Sequence, residues 1–65
     1  MKILVNGAWR DTRSAELTRA LEELGYGSTV VSTAVNGEFV PLAQRAETRL
    51  ADGDRLEVLA PMQGG

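Results

Sequence analysis

The sequence predicts an α+β roll in which a mixed sheet of about five strands packs on one main helix. Two Asn-Gly pairs, at residues 6–7 and 36–37, each separate two short runs with strand-like composition. Asn-Gly between such runs is the strongest short-range signal for a β-hairpin. A stretch with leucines at helical spacing lies between the two hairpins and predicts one helix. Two hairpins and one crossover helix are expected to pack as two layers around a single core.

The first hairpin leads into the helix. Residues 1–5 alternate between two faces, and residues 8–12 return as the second strand. Ser14 is placed to cap a helix over residues 15–24, with Glu16 in its first turn. The helix carries an apolar stripe formed by Leu17, Ala20, Leu21 and Leu24. It is expected to end just before Gly25.

In the second half of the chain, residues 30–35 predict a strand and residues 38–40 its short partner strand. Residues 42–50 predict a helical turn with a loop, residues 52–54 a tight turn, and residues 55–59 the last strand. Pro41 ends the fourth strand. This order of elements is that of the ubiquitin-like β-grasp roll, in which the first and last strands lie side by side. The expected core is Ile3, Val5, Leu17, Leu21, Leu24, Val35, Leu50, Leu56 and Val58.

Composition excludes several classes of function. The 65 residues contain no cysteine and no histidine, so thiol and imidazole chemistry are absent and we expect no enzymatic activity. The net charge is −2, with arginines interleaved among acids, which does not indicate a nucleic-acid-binding face. No apolar run approaches the roughly 20 residues that span a bilayer, and no signal-peptide pattern opens the chain. We expect a cytoplasmic monomer without nucleic-acid or membrane partners.

The candidate site is the C-terminal segment. We expect a domain over residues 1–61 and a flexible tail over residues 62–65, Met62-Gln63-Gly64-Gly65. Four extended residues span about 13–14 Å, and glycine backbone can thread a narrow channel towards a phosphate. A carboxylate on Gly65 would need activation, for example as an acyl-adenylate made from ATP, by residues of a partner. The alternative is that the glycines belong to an ordinary disordered end.

Three stretches carry a family resemblance, namely residues 1–7 (MKILVNG), 34–41 (AVNGEFVP) and 50–65 (LADGDRLEVLAPMQGG). They resemble the ThiS family of sulfur carrier proteins of thiamine biosynthesis, and the resemblance extends over essentially the whole chain. It implies that the Gly65 carboxylate is adenylated by an E1-like, ThiF-type enzyme. A sulfur-donor system would then convert it to a thiocarboxylate, which delivers sulfur to a ThiG-type thiazole synthase. The chain would bind no cofactor, since ATP is used by the activating partner.

A docking surface is also predicted. Leu4 and Leu59 should point away from the helix on neighbouring central strands, and Pro61 leads from there to the tail.

Trp9 is expected to cover one edge of the core, with a binding hot spot as the alternative. Leu42 departs from the family pattern, in which arginine is frequent at this position. Asp52 and Asp54 fall far short of the about six ligands of a calcium site, so we expect a plain turn and no metal.

Two other functions share much of this pattern. The small subunit of molybdopterin synthase has the same fold, Gly-Gly end and thiocarboxylate chemistry, but it tends to be longer, and residues 61–63 look closer to the thiamine carrier. The third candidate is a ubiquitin-like docking module with an inert tail.

Overall fold

The fold is one mixed sheet of five strands with a helix on one face. The computed structural model describes residues 1–27 and 29–60. Its strands are β1 (Lys2–Val5), β2 (Ala8–Asp11), β3 (Ser32–Val35), β4 (Glu38–Val40) and β5 (Arg55–Leu59), and its helices are α1 (Leu17–Glu23) and a 3₁₀ helix (Leu42–Glu47). The strand order is β2-β1-β5-β3-β4, with β1 and β5 parallel and the other pairs antiparallel. The predicted fold class is confirmed, including the central pair formed by the first and last strands.

Both predicted hairpins form at the Asn-Gly pairs. Asn6 and Asn36 have φ values of 49° and 50°, and the glycine after each has a φ of 86°. A type I′ turn requires positive φ at both central residues, and asparagine tolerates this conformation better than other residues with a side chain. The hairpins therefore fix the registers of β1 against β2 and of β3 against β4.

The start of α1 differs from the prediction. The helix begins at Leu17, two residues later than expected, and Glu16 occupies the N-cap position without a side-chain capping bond. Ser14 Oγ instead accepts a hydrogen bond from the Glu16 N–H, at 3.1 Å. The cause is tertiary, because Glu16 forms a bridge with Arg49, and the Leu17 N–H donates to the carbonyl of Thr48. An extended pairing thus replaces the first predicted helical turn.

The end of α1 agrees with the prediction. Gly25 lies just past the helix with a φ of 98°. Its N–H donates to the Glu22 carbonyl, and the Tyr26 N–H donates to the Leu21 carbonyl. These two bonds form a Schellman motif, which satisfies carbonyls that the helix end would otherwise leave unpaired.

The core lies between the sheet and α1. Among the described residues its buried apolar members are Ile3, Val5, Leu17, Ala20, Leu21, Leu24, Val31, Val40, Leu50, Leu56 and Val58. Of the predicted core, only Val35 is not fully buried, and it packs against the edge of this cluster. The reason is its position, since it is the last residue before a hairpin turn at the end of the sheet.

The prediction for Trp9 was wrong. All four residues of β2 are exposed, and Trp9 is 59% exposed. Trp9 pairs with Leu4 across the β1–β2 ladder, and Leu4 alternates with the buried side chains of Ile3 and Val5. Trp9 therefore lies on the face of the sheet opposite α1, where it covers no core residue.

A buried arginine joins β3 to the 3₁₀ helix. Arg45 is 8% exposed, and its Nε donates to Thr33 Oγ1 at 3.2 Å while its Nη2 donates to the carbonyl of Val31 at 2.5 Å. Thr33 Oγ1 donates in turn to the carbonyl of Val40 at 2.8 Å. The side chain of Arg45 thus supplies a donor to the Val31 carbonyl just beyond the last pair of the β3–β4 ladder, Thr33 and Val40.

Candidate functional site

The candidate site begins where β5 ends. β5 lies in the middle of the sheet, between β1 and β3, and the described part of the chain ends one residue after Leu59, at Ala60. The predicted tail, with Pro61, Met62, Gln63, Gly64 and Gly65, lies outside the described residues. What the structure defines is therefore the strand from which that segment continues.

The last residues of β5 are bound on both sides. On one side, β3 pairs with β5 out to Ser32 and Leu59. On the other side, β1 ends at Val5, and the side chain of Asn6 continues the contact. Asn6 Nδ2 donates to the Val58 carbonyl at 2.9 Å, and the Val58 N–H donates to Asn6 Oδ1 at 2.8 Å. The end of β5 is thus fixed by two neighbours rather than one.

Leu4 and Leu59 both lie on the face opposite α1, as expected from strand alternation. Leu59 is 64% exposed and Leu4 is half-buried. They do not form one continuous patch, because Leu4 is in register with Arg55, four residues before Leu59. Four residues of strand span about 13 Å, and the exposed side chain of Glu57 lies between them on β5. The structure therefore separates the two predicted docking residues.

Each of the two leucines has different neighbours. Leu4 pairs with Trp9 at one corner of the sheet. Leu59 is opposite Ser32, and Ser32 also lines a groove of about 380 Å³ at the other end. Leu59, and not Leu4, is therefore the predicted docking residue that lies beside the end of the described chain at Ala60.

Three exposed apolar side chains of this groove were not predicted from the sequence. Val30, Phe39 and Leu42 are 77%, 69% and 74% exposed, and they line it together with Arg45. Alternation along β4 could have found one of them, since Val40 points into the core and Phe39 must then point outward. Leu42 gives this groove an apolar wall.

Asp52 and Asp54 serve the turn before β5. Asp52 Oδ1 accepts a hydrogen bond from the Lys2 N–H at 2.7 Å, and Asp54 Oδ2 accepts one from the Ala51 N–H at 2.8 Å. Gly53 has a φ of 89°, so the predicted turn is confirmed. Within residues 1–27 and 29–60 there is no group of three or more side chains that could hold a metal ion. No helix in that part of the chain is long and apolar enough to cross a membrane.

A mixed five-stranded sheet on one helix, whose central last strand leads into a Gly-Gly segment, defines a small ubiquitin-like domain. A family model described as "ThiS family" matches residues 3–65. The chain therefore belongs to the ThiS family, and the predicted family is confirmed.

Two known proteins show how far the similarity extends. The crystal structure of a thiamine biosynthesis protein (ThiS) from Geobacter metallireducens matches with a TM-score of 0.81 and 32% identity, over the full length of both chains. A "Thiazole synthase" of Paramagnetospirillum magneticum is 38% identical over 66 residues, which cover 100% of this chain. The chain spans only 20% of the length of that relative.

Proposed function

We propose that this chain is a sulfur carrier of thiamine biosynthesis, and that its Gly65 carboxylate is adenylated and then converted to a thiocarboxylate. The observation that carries the proposal is the family match, which extends through residue 65 and so includes the Gly-Gly segment. The likeness to a thiamine biosynthesis protein over the whole chain supports the same assignment. The chain acts as a protein substrate and not as an enzyme.

The chemistry proceeds in two steps. A Gly65 carboxylate oxygen attacks the α-phosphorus of ATP, and pyrophosphate leaves, which gives an acyl-adenylate. Sulfide from the donor system then attacks the acyl carbon and displaces AMP, which carries away one of the original carboxylate oxygens and leaves sulfur in its place. The E1-like, ThiF-type partner supplies the ATP site and the catalytic groups. This chain supplies the carboxylate and a fixed strand end from which the glycines reach the partner.

The sulfur acceptor is a ThiG-type thiazole synthase. Support comes from the relative named thiazole synthase, in which a segment similar to this whole chain is part of a much longer polypeptide. A carrier domain within the same polypeptide has a raised effective concentration for its acceptor. A carrier on its own, as a cytoplasmic monomer, forms the same contact transiently.

Pyrophosphate release tests the first step. The full chain is incubated with a ThiF-type activating enzyme and ATP, and pyrophosphate is measured with and without the chain. We expect pyrophosphate release that depends on the chain. When no sulfur donor is present, release should stop after a single turnover, because the acyl-adenylate is not consumed. The activating enzyme's activity on its own carrier is the control. If the enzyme passes that control and this chain yields no pyrophosphate, the docking module with an inert tail becomes the better explanation.

Leu59→Glu is expected to weaken binding to the activating enzyme by about tenfold or more, which corresponds to about 1.4 kcal/mol. Leu59 is exposed and lies two residues before Pro61, so the fold should persist while an apolar contact beside the tail is lost. Titration calorimetry measures the affinity. Ala46→Glu adds the same charge to an exposed site in the 3₁₀ helix and should bind normally. Equal affinities for both variants would show that Leu59 lies outside the interface.

A further inference from the structure

The two hairpin turns have the same sequence, Val-Asn-Gly, and both asparagine side chains bind β5. Asn36 Oδ1 accepts a hydrogen bond from the Arg55 N–H at 2.9 Å, at the start of the strand. The amide of Asn6 binds Val58 near its end. The turns thus hold opposite ends of the strand that leads to the tail.

The Asn6 contact extends the parallel ladder beyond the end of β1. The last backbone bond of this ladder runs from the Asn6 N–H to the carbonyl of Leu56, at 3.0 Å. The N–H and carbonyl of Val58, two residues after Leu56, point to the same side of β5 as those of Leu56. No backbone of β1 lies opposite them, because the chain has already turned away at Gly7. A side-chain amide offers one acceptor and one donor group, as a peptide unit does. Asn6 therefore satisfies both groups of Val58 in the way that another strand residue would.

We infer that Asn6 is a positioning residue, which fixes the last residues of β5 and thereby the point and direction from which the tail reaches the activating enzyme. The inference rests on the proposed function. Val58 precedes Pro61 by only three residues, so disorder at Val58 would be transmitted to every tail residue. Reaction rates are sensitive to such misplacement, because reacting atoms must come within about 3–3.5 Å in the correct orientation.

Asn36 provides a matched control within the same chain. Its backbone conformation is the same, its side chain also binds β5, and its Nδ2 donates to Asp54 Oδ1 at 3.0 Å. It acts on Arg55, however, at the end of the strand furthest from the tail. A merely structural role would make the two asparagines equivalent, whereas a positioning role makes Asn6 the more important one for activation.

The test compares Asn6→Gly with Asn36→Gly. Glycine adopts positive φ without strain, so each variant loses the amide contacts but keeps its turn. Amide hydrogen exchange at Val58 is measured for both variants. The kcat/KM of chain-dependent pyrophosphate release is measured with a sulfide source present, so that the activating enzyme turns over. In Asn6→Gly we expect exchange at Val58 to rise by about tenfold or more, and kcat/KM to fall by about fivefold or more. In Asn36→Gly, exchange rises at Arg55 instead, and kcat/KM stays within about twofold of the original value.

Two results would overturn the inference, namely unchanged exchange at Val58 in Asn6→Gly, or equal losses of kcat/KM in both variants at equal stability. Should Asn6→Gly fail to fold, Asn6→Asp is compared with the original chain, since a carboxylate keeps the acceptor for the Val58 N–H and loses the donor to the Val58 carbonyl. Failure of the proposed function has a different signature, because the activating enzyme would then release no pyrophosphate from ATP even with the unaltered chain. The exchange rate at Val58 would still decide whether Asn6 fixes the end of β5.

Discussion

Deletion of Gly65 is expected to abolish ATP-dependent activation, with a loss of at least about a hundredfold in the rate of pyrophosphate release. The deletion moves the terminal carboxylate to Gly64, which shortens the reach of the tail by about 3.5 Å. A shift of even about 1 Å from the reactive geometry can cost about a hundredfold in rate. Pyrophosphate release with a ThiF-type enzyme measures the effect.

The control for this prediction is Gln63→Ala, which changes a tail side chain but leaves the terminal carboxylate in place. It should retain activation within a few-fold, and both variants should unfold at the temperature of the original chain, because the last core residue in the described part of the chain is Val58. Activation that survives the loss of Gly65 at the original rate would contradict the requirement for a carboxylate at that position.

Leu56→Ala is expected to destabilise the domain by about 2–5 kcal/mol. Leu56 is 0% exposed, in the middle of the central strand, so its truncation leaves a cavity between the sheet and α1. A domain of 65 residues has a free energy of unfolding of only about 3–10 kcal/mol. The truncation should therefore remove a large fraction of the stability of the domain. Urea denaturation followed by circular dichroism measures the difference.

Leu59→Ala is the matched control for stability, since it makes the same change three residues along the same strand at an exposed position. It should cost less than about 0.5 kcal/mol. Equal costs at the two positions would contradict the arrangement in which Leu56 faces α1 and Leu59 faces away from it.

The parts of the fold that local chemistry specifies were predicted from the sequence. Asn-Gly pairs specify type I′ turns because few other residues accept positive φ, and Gly25 ends α1 for the same reason. Strand alternation placed Ile3, Val5, Leu56 and Val58 in the core. These features depend on residues a few positions apart, so a single sequence reveals them.

Features that depend on distant residues were missed. The pairing of Glu16 with Arg49 delays the start of α1, and no local signal near Ser14 indicates it. Trp9 is exposed because it pairs with Leu4 on the face of the sheet opposite α1, which follows from the β1–β2 register and not from the strand's composition. The bonds between Asn6 and Val58 join residues that are 52 positions apart. The separation of Leu4 from Leu59 likewise depends on the β1–β5 register.

Intact-mass spectrometry tests the central claim most directly. The full chain is incubated with a ThiF-type activating enzyme, ATP and a sulfide source, and the chain lacking Gly65 is treated in parallel. The carrier function predicts a mass gain equal to the replacement of one oxygen by sulfur, in the full chain alone. An unchanged mass of the full chain, with an enzyme that converts its own carrier under the same conditions, would contradict the proposed function.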